Sequence, residues 1–153
     1  MLGILKVDHI GIRIADKNVS VAFYQNLGFK LLADAGYDHG HPIIMQHPSG
    51  VVVNLLGPGT AGGGSNILMD VDEKYPGYTH VALRVNSLEQ AEAFATDHNI
   101  AITGRMQFKD MHAIFIRDPD GTVIELDAYP DKEPETRSES VEADDFKGFD
   151  DHG

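Results

Sequence analysis

Two stretches of this chain repeat each other at one fixed offset. "DHIGIRIADKNVSVAFYQNLGFKLL", starting at residue 8, and "THVALRVNSLEQAEAFATDHNIAIT", starting at residue 79, align without a gap, 71 residues apart. His9 falls on His80, Arg13 on Arg84, Phe23 on Phe94 and His41 on His112. The same offset carries into the turn prolines and glycines of "HPSGVVVNLL" and "DPDGTVIELD". Chance matches do not hold register from a first strand to a last one, so the chain reads as two copies of one structural unit.

Each copy has the same order of elements. The first opens on a strand in which Ile10, Ile12 and Ile14 share one face while His9, Gly11 and Arg13 take the other. A helix follows, with Val21, Phe23, Tyr24 and Leu27 near one face and Gly28 as its stop. Three further strands complete a βαβββ unit. The second copy opens on His80–Val85, continues with a helix from about Leu88 to His98, and ends on its own strands. These readings give an α+β fold of two βαβββ modules, the first over residues 5–57 and the second over 77–129. A glycine-rich connection at 58–66 joins them within a single domain of residues 1–130. One such module can cover only the helix-facing side of its sheet. Two placed side by side could curl their sheets around a shared metal-binding cavity lined by the opposite faces.

Strand parity says which side chains would enter that cavity. His9 and His80 point away from the apolar face of the opening strands; Glu125 alternates with Ile124 and Leu126, and Asn54 with Val53 and Leu55. Two neutral imidazoles and one carboxylate suit a divalent metal and leave coordination positions open for water or substrate. An unpaired Glu125 between two aliphatic neighbours would be costly to bury, which also favours a cation beside it.

The opening "VDHIGIRIADKNVSVAFYQNLGF", the strand "GYTHVALRV" and the closing "IFIRDPDGTVIELD" resemble the vicinal oxygen chelate superfamily, which includes glyoxalase I, bleomycin-resistance proteins, fosfomycin-resistance proteins and extradiol dioxygenases. The resemblance runs from residue 5 to about residue 129. It implies metal ligands at His9, His80 and Glu125 and a divalent ion such as Ni, Zn, Mn or Fe. Asn54 departs from it, because the glyoxalase I position matching Asn54 is usually a second Glu. An amide can bind a hard metal weakly but cannot take a proton from carbon. The activity implied is that of a glyoxalase-like lyase or isomerase stabilising an enediolate-type anion on a small substrate such as a thiol adduct. An extradiol-type dioxygenase, a thiol transferase of the fosfomycin-resistance kind and a metal-free ligand-sequestering protein are the alternatives. A homodimer is expected on the same resemblance.

Further candidates come from the residues around these four. If Arg117 pairs with Thr122 across the DPDG turn, Ile114 faces Glu125 and His112 lies across from Asp127 on the cavity side, where it could act as a base with Glu125. A one-residue bulge would turn it to solvent. Its repeat mate His41, together with Asn54, Arg13 and Arg84, is a candidate for substrate binding. Tyr75 and Tyr78 in "MDVDEKYPGY" could close over a pocket, but an ordinary connection is the favoured reading.

Composition removes other classes. A net charge of −12 argues against a nucleic-acid partner, whose affinity needs clustered Lys and Arg. No apolar run approaches a membrane span, there is no Cys, and no signal pattern opens the chain, so a cytoplasmic location is expected. Residues 131–153 hold nine acids and three bases, read as a flexible acidic tail in which Phe146 and Phe149 could dock.

Overall fold

The alternation read at the start of each copy is reproduced in the burial of the first strand, where Ile12 and Ile14 are buried and Gly11 and Arg13 exposed. The structure, a computed structural model, describes residues 1–61 and 65–130, together with the backbone of a two-residue strand at Phe146–Lys147. It divides into two units, Met1–Gly64 and Ser65–Gly153.

Unit one contains β1 (Ile10–Arg13), α1 (Lys17–Asn26), β2 (Lys30–Asp34), β3 (Ile43–Gln46) and β4 (Val52–Leu56). Their sheet runs in the order β1-β4-β3-β2, with β1 parallel to β4 and the other pairs antiparallel. The Asp16 carboxylate accepts the backbone N–H groups of Asn18 and Val19 at 2.9 and 3.1 Å and so caps α1. Gly28, at φ +101°, ends it in the left-handed region. Ile43, Met45, Val53 and Leu55 are buried, as are Ser20 and Tyr24, one turn apart on α1. Each fully buried aliphatic side chain contributes about 1.5–3 kcal/mol of transfer free energy, an upper figure for folding.

Unit two contains β5 (His80–Val85), α2 (Leu88–Asp97), β6 (Gly104–Phe108), β7 (Met111–Arg117), β8 (Val123–Ala128) and β9 (Phe146–Lys147), in the sheet order β5-β8-β7-β6-β9. Ser87 caps α2 by accepting the Gln90 N–H at 3.1 Å. Ala91 and Ala95, the repeat mates of Ser20 and Tyr24, are buried on the helix and let its backbone approach the sheet. Asn99, the mate of Gly28, takes the same left-handed conformation at φ +54°.

Both units therefore hold the βαβββ order, and the pairing registers repeat along with the sequence. Gly11 and Ile44 flank Asn54; Ala82 and Phe115 flank Glu125. Even the hairpin turns match. His47 N–H donates to Val51 O at 2.9 Å, as Asp118 N–H does to Thr122 O at 2.9 Å. In the first turn the His47 ring accepts the Ser49 N–H at 3.0 Å, and in the second the Asp118 carboxylate accepts those of Asp120 and Thr122 at 2.9 Å each.

That turn corrects one expectation. Arg117 pairs with Val123 rather than Thr122, because Asp118 and Thr122 close the turn between themselves. Phe115, not Ile114, therefore lies opposite Glu125, and His112 lies opposite Ala128. A shift of one residue moves a side chain to the other face of a sheet, so His112 sits on the face away from Glu125.

The tail reading of residues 131–153 lies outside the described residues apart from β9, which adds antiparallel to β6 through the pairs Phe108–Phe146 and Gln107–Lys147. Phe149 lies outside them as well.

Candidate functional site

In the second unit, parity gathers one sheet face. His80 and Arg84 come from β5, Glu125 and Asp127 from β8, and Ala113 and Phe115 from β7. His80 Nε2 stands 3.6 Å from Glu125 Oε1, too far for a hydrogen bond, with the carboxylate buried and the imidazole partly exposed. The Phe115 ring lies edge-on to the His80 ring at 6.1 Å between centroids. Arg84 stands opposite Asp127 in the strand register, and its guanidinium lies over the Tyr129 ring, 4.1 Å from the centroid. Beside these polar groups Phe108, Met111 and Ala113 are buried together with Met106 and Tyr129 packed against them, an apolar cluster on the same sheet.

In the first unit His9 precedes β1, and its phase places it on the side of Gly11, which pairs with Asn54. The Asn54 side-chain oxygen is buried and has no hydrogen-bond partner among the described residues. A polar atom in that state costs free energy unless something fills the site.

A feature of both histidines was not read from the sequence. The residue preceding each engages its Nδ1. Asp8 meets His9 Nδ1 at 2.7 Å, and Thr79 meets His80 Nδ1 at 2.9 Å. Asp8 and Thr79 are themselves repeat mates, so the 71-residue offset carried the signal. Because a carboxylate can only accept, the Asp8 bond fixes the His9 proton on Nδ1 and leaves the Nε2 lone pair available. The same ring holds the Asp8 carboxyl below the usual carboxylate range, chiefly through that hydrogen bond. An outer group on one imidazole nitrogen with a free lone pair on the other is the arrangement metal-binding histidines use. Among the described residues no three His, Asp or Glu side chains are grouped closely enough to hold a metal ion.

The remaining candidates fall elsewhere. His41 is exposed in the loop after a 3-10 turn at Tyr37–His39, its backbone N–H donating to Gly36 O at 3.0 Å and its ring lying over Gly36. Arg13 is exposed at the end of β1. Tyr78 is fully exposed, and Tyr75 donates its hydroxyl to Glu73 at 2.6 Å, which raises its pKa. Among the described residues no helix is long and apolar enough to cross a membrane.

Solved structures share this architecture. A glyoxalase/dioxygenase from Nostoc punctiforme is 21% identical, with a TM-score of 0.65 over 84% of this chain and 97% of that one. A glyoxalase family protein from Enterococcus faecalis is 20% identical, with a TM-score of 0.64 over 80% and 96%. TnmS3, an antibiotic binding protein from Streptomyces sp. CB03234, is 21% identical, with a TM-score of 0.62 over 84% and 98%. At these identities the likeness establishes the fold and not the activity. No curated protein matches the chain. Residues 6–126 match a family directly, and with both βαβββ units in place the chain belongs to the Glyoxalase/Bleomycin resistance protein/Dioxygenase superfamily.

Proposed function

We propose that this chain is a divalent-metal-dependent enzyme of glyoxalase-like lyase or isomerase type, acting on a small substrate that presents two adjacent oxygens. The observation that carries this reading is the Asp8 carboxylate on His9 Nδ1, which leaves Nε2 of the neutral ring for a ligand, with the Thr79 hydroxyl placed at His80 Nδ1 where it can accept in the same way. His9, His80 and Glu125 would hold the ion, and the unpartnered oxygen of Asn54 would lie close enough for a weak interaction. A bound divalent ion supplies Lewis-acid polarisation of the substrate oxygens.

The protein's own groups would then divide the remaining work. Among His9, His80, Asn54 and Glu125, Glu125 is the group suited to accept a proton from carbon, since the amide cannot and the imidazoles are committed through both nitrogens. His112 lies on the opposite sheet face from Glu125 and takes no part in this step. Arg84, steadied against Tyr129, offers a fixed cation to an anionic substituent, while Phe108, Met111 and Met106 form an apolar surface that excludes water. The same two-His, one-carboxylate set would also suit Fe(II), a catechol and dioxygen.

Metal analysis of protein purified without added metal tests the reading, followed by thioester formation from a hemithioacetal and oxygen uptake with catechols. About one divalent ion per chain is expected. Glu125→Gln should lose it, and Asp8→Ala should weaken its affinity about 10-fold, the low end for loss of an exposed outer group. Oxygen uptake without thioester would replace the lyase reading by the dioxygenase one. Metal-free protein that binds a drug-like ligand would replace both by sequestration.

A further inference from the structure

Nothing in the fold of the first unit requires a glycine at Gly11. The residue sits inside β1 at an exposed position and in ordinary strand conformation, outside the left-handed region. The β1–β4 register runs without interruption from Ile10–Val53 to Arg13–Leu56, so no bulge calls for it. Packing does not call for it either. Among the described residues a Cβ at Gly11 would meet only Leu56 Cδ1, at 3.5 Å, an ordinary contact. Gly57 is the contrast, since a Cβ there would fall inside the Tyr37 ring. A glycine inside a strand weakens it, because its freer backbone loses more entropy on ordering and it has no side chain to pack. With bulge, bend and packing removed as reasons, what remains is the close approach of another group to the backbone.

The same spot holds an unmet hydrogen-bonding group. Asn54 is the strand neighbour of Gly11, and its side-chain oxygen is buried without a partner among the described residues. A carbonyl oxygen has two lone pairs, so a weak interaction with an ion still leaves one for a donor. Around the pair the sheet face is apolar. Ile44 flanks Asn54 on β3 and Leu56 lies beside Gly11, both half-buried. His9 precedes Gly11 in the same phase. In the second unit the matching positions are Ala82 and Glu125, where a methyl group replaces bare backbone and a carboxylate replaces the amide.

We infer that Gly11 and Asn54 form a substrate subsite on the first unit, in which a hydroxyl-bearing carbon lies against the bare β1 backbone and its hydroxyl donates to Asn54 Oδ1. The inference deepens the metal-enzyme reading and rests on it for the chelating end of the substrate. On a molecule that presents two adjacent oxygens, the nearest donor is the hydroxyl form of one of them. One buried acceptor in apolar surroundings then selects the hydroxy compound over the oxo compound of the same size, whose carbonyl would face the amide oxygen and leave it unpaired. A Cβ on residue 11 would take the volume that the carbon needs.

Racemic lactate and pyruvate are the probes, since each presents a carboxylate with an adjacent oxygen and only the oxygen of lactate is a donor. Each is titrated into the protein as purified, and the metal content is measured on the same sample. Lactate should bind more tightly, and Asn54→Leu should reduce the lactate-to-pyruvate affinity ratio about tenfold, the size of one net hydrogen bond. Gly11→Val should weaken both ligands. Gly11→Ala should raise the urea midpoint, because alanine is the better strand residue where no ligand is considered. A lowered midpoint in Gly11→Ala would show that the fold needs the glycine and would overturn the proposal. So would an affinity ratio unchanged by Asn54→Leu, undiminished binding in Gly11→Val, or binding of neither probe. The metal content separates this proposal from the reading it deepens. An Asn54-dependent preference for lactate in metal-free protein upholds the subsite and overturns the metal reading, whereas metal-loaded protein with an unchanged ratio does the reverse.

Discussion

Gly57→Ala should destabilise the first unit far more than its position at the end of a strand suggests. Gly57 follows β4 and is buried beneath Tyr37, and a Cβ added there would fall inside the tyrosine ring. The ring cannot easily move aside. It is 5% exposed, and its hydroxyl donates to Ile14 O and Ala15 O at 3.2 Å each, tying the turn at Tyr37–His39 to the end of β1. Overpacking a rigid site costs about 1–3 kcal/mol, and displacing the ring sacrifices its shared hydrogen bond at about 1 kcal/mol more. A loss of about 2–4 kcal/mol follows, which for a chain of this size is a fall in Tm of about 5–15 °C. Urea denaturation of the wild type, Gly57→Ala, Tyr37→Ala and the double variant measures the coupling. In the double variant the added methyl should cost little, because the ring it strikes is gone. The repeat supplies a contrast: the mate of Gly57 is Ala128, buried at 2%, so the strand end itself does not require glycine. A Gly57→Ala protein within about 0.5 kcal/mol of wild type, or strictly additive effects, would refute the reasoning.

Two further outcomes are expected. The Asp34 carboxylate accepts the N–H groups of Tyr37 and Gly36 and pairs with Lys17 at 3.0 Å; these hydrogen bonds, the backbone ones foremost, hold its pKa down to about 2. A depressed folded-state pKa gives stability that is full above the ordinary carboxylate range and lost as pH falls towards about 2, so the gap in urea midpoint between wild type and Asp34→Ala should be constant at pH 5–7 and close over pH 4 to 2; a gap that widens on acidification would be wrong in sign. If turnover is glyoxalase-like, Asn54→Glu should raise it by restoring a second acid and His112→Ala should leave it within about twofold, whereas a large loss in His112→Ala would mean that the strand register misplaces the base.

Much of the arrangement was legible before any coordinates. Hydrophobic alternation in β1 and β5 and a single offset from His9–His80 to Asn54–Glu125 are local, periodic properties, and folding preserved them because one residue of slip would bury the wrong face of every strand. Family membership was equally legible, since the same segments carry it. His112 was not, because a hairpin register depends on how the turn closes. Here that rests on the Asp118 carboxylate accepting two backbone N–H groups within its own loop.

By itself, the sequence determined two βαβββ units, their helix-facing cores, and the strand phase of His9, His80, Asn54 and Glu125, since these follow from periods of two and 3.6 residues and from the repeat. Tertiary structure alone decided the close contacts: Asp8 and Thr79 on the two imidazoles, Arg84 over Tyr129, Tyr37 seated on Gly57, and β9 on the edge of β6. Each of the last three joins residues that are distant in the chain, and the first two depend on side-chain rotamers. No periodicity encodes either kind of proximity. They are fixed when the backbones pack and the buried polar groups must find partners.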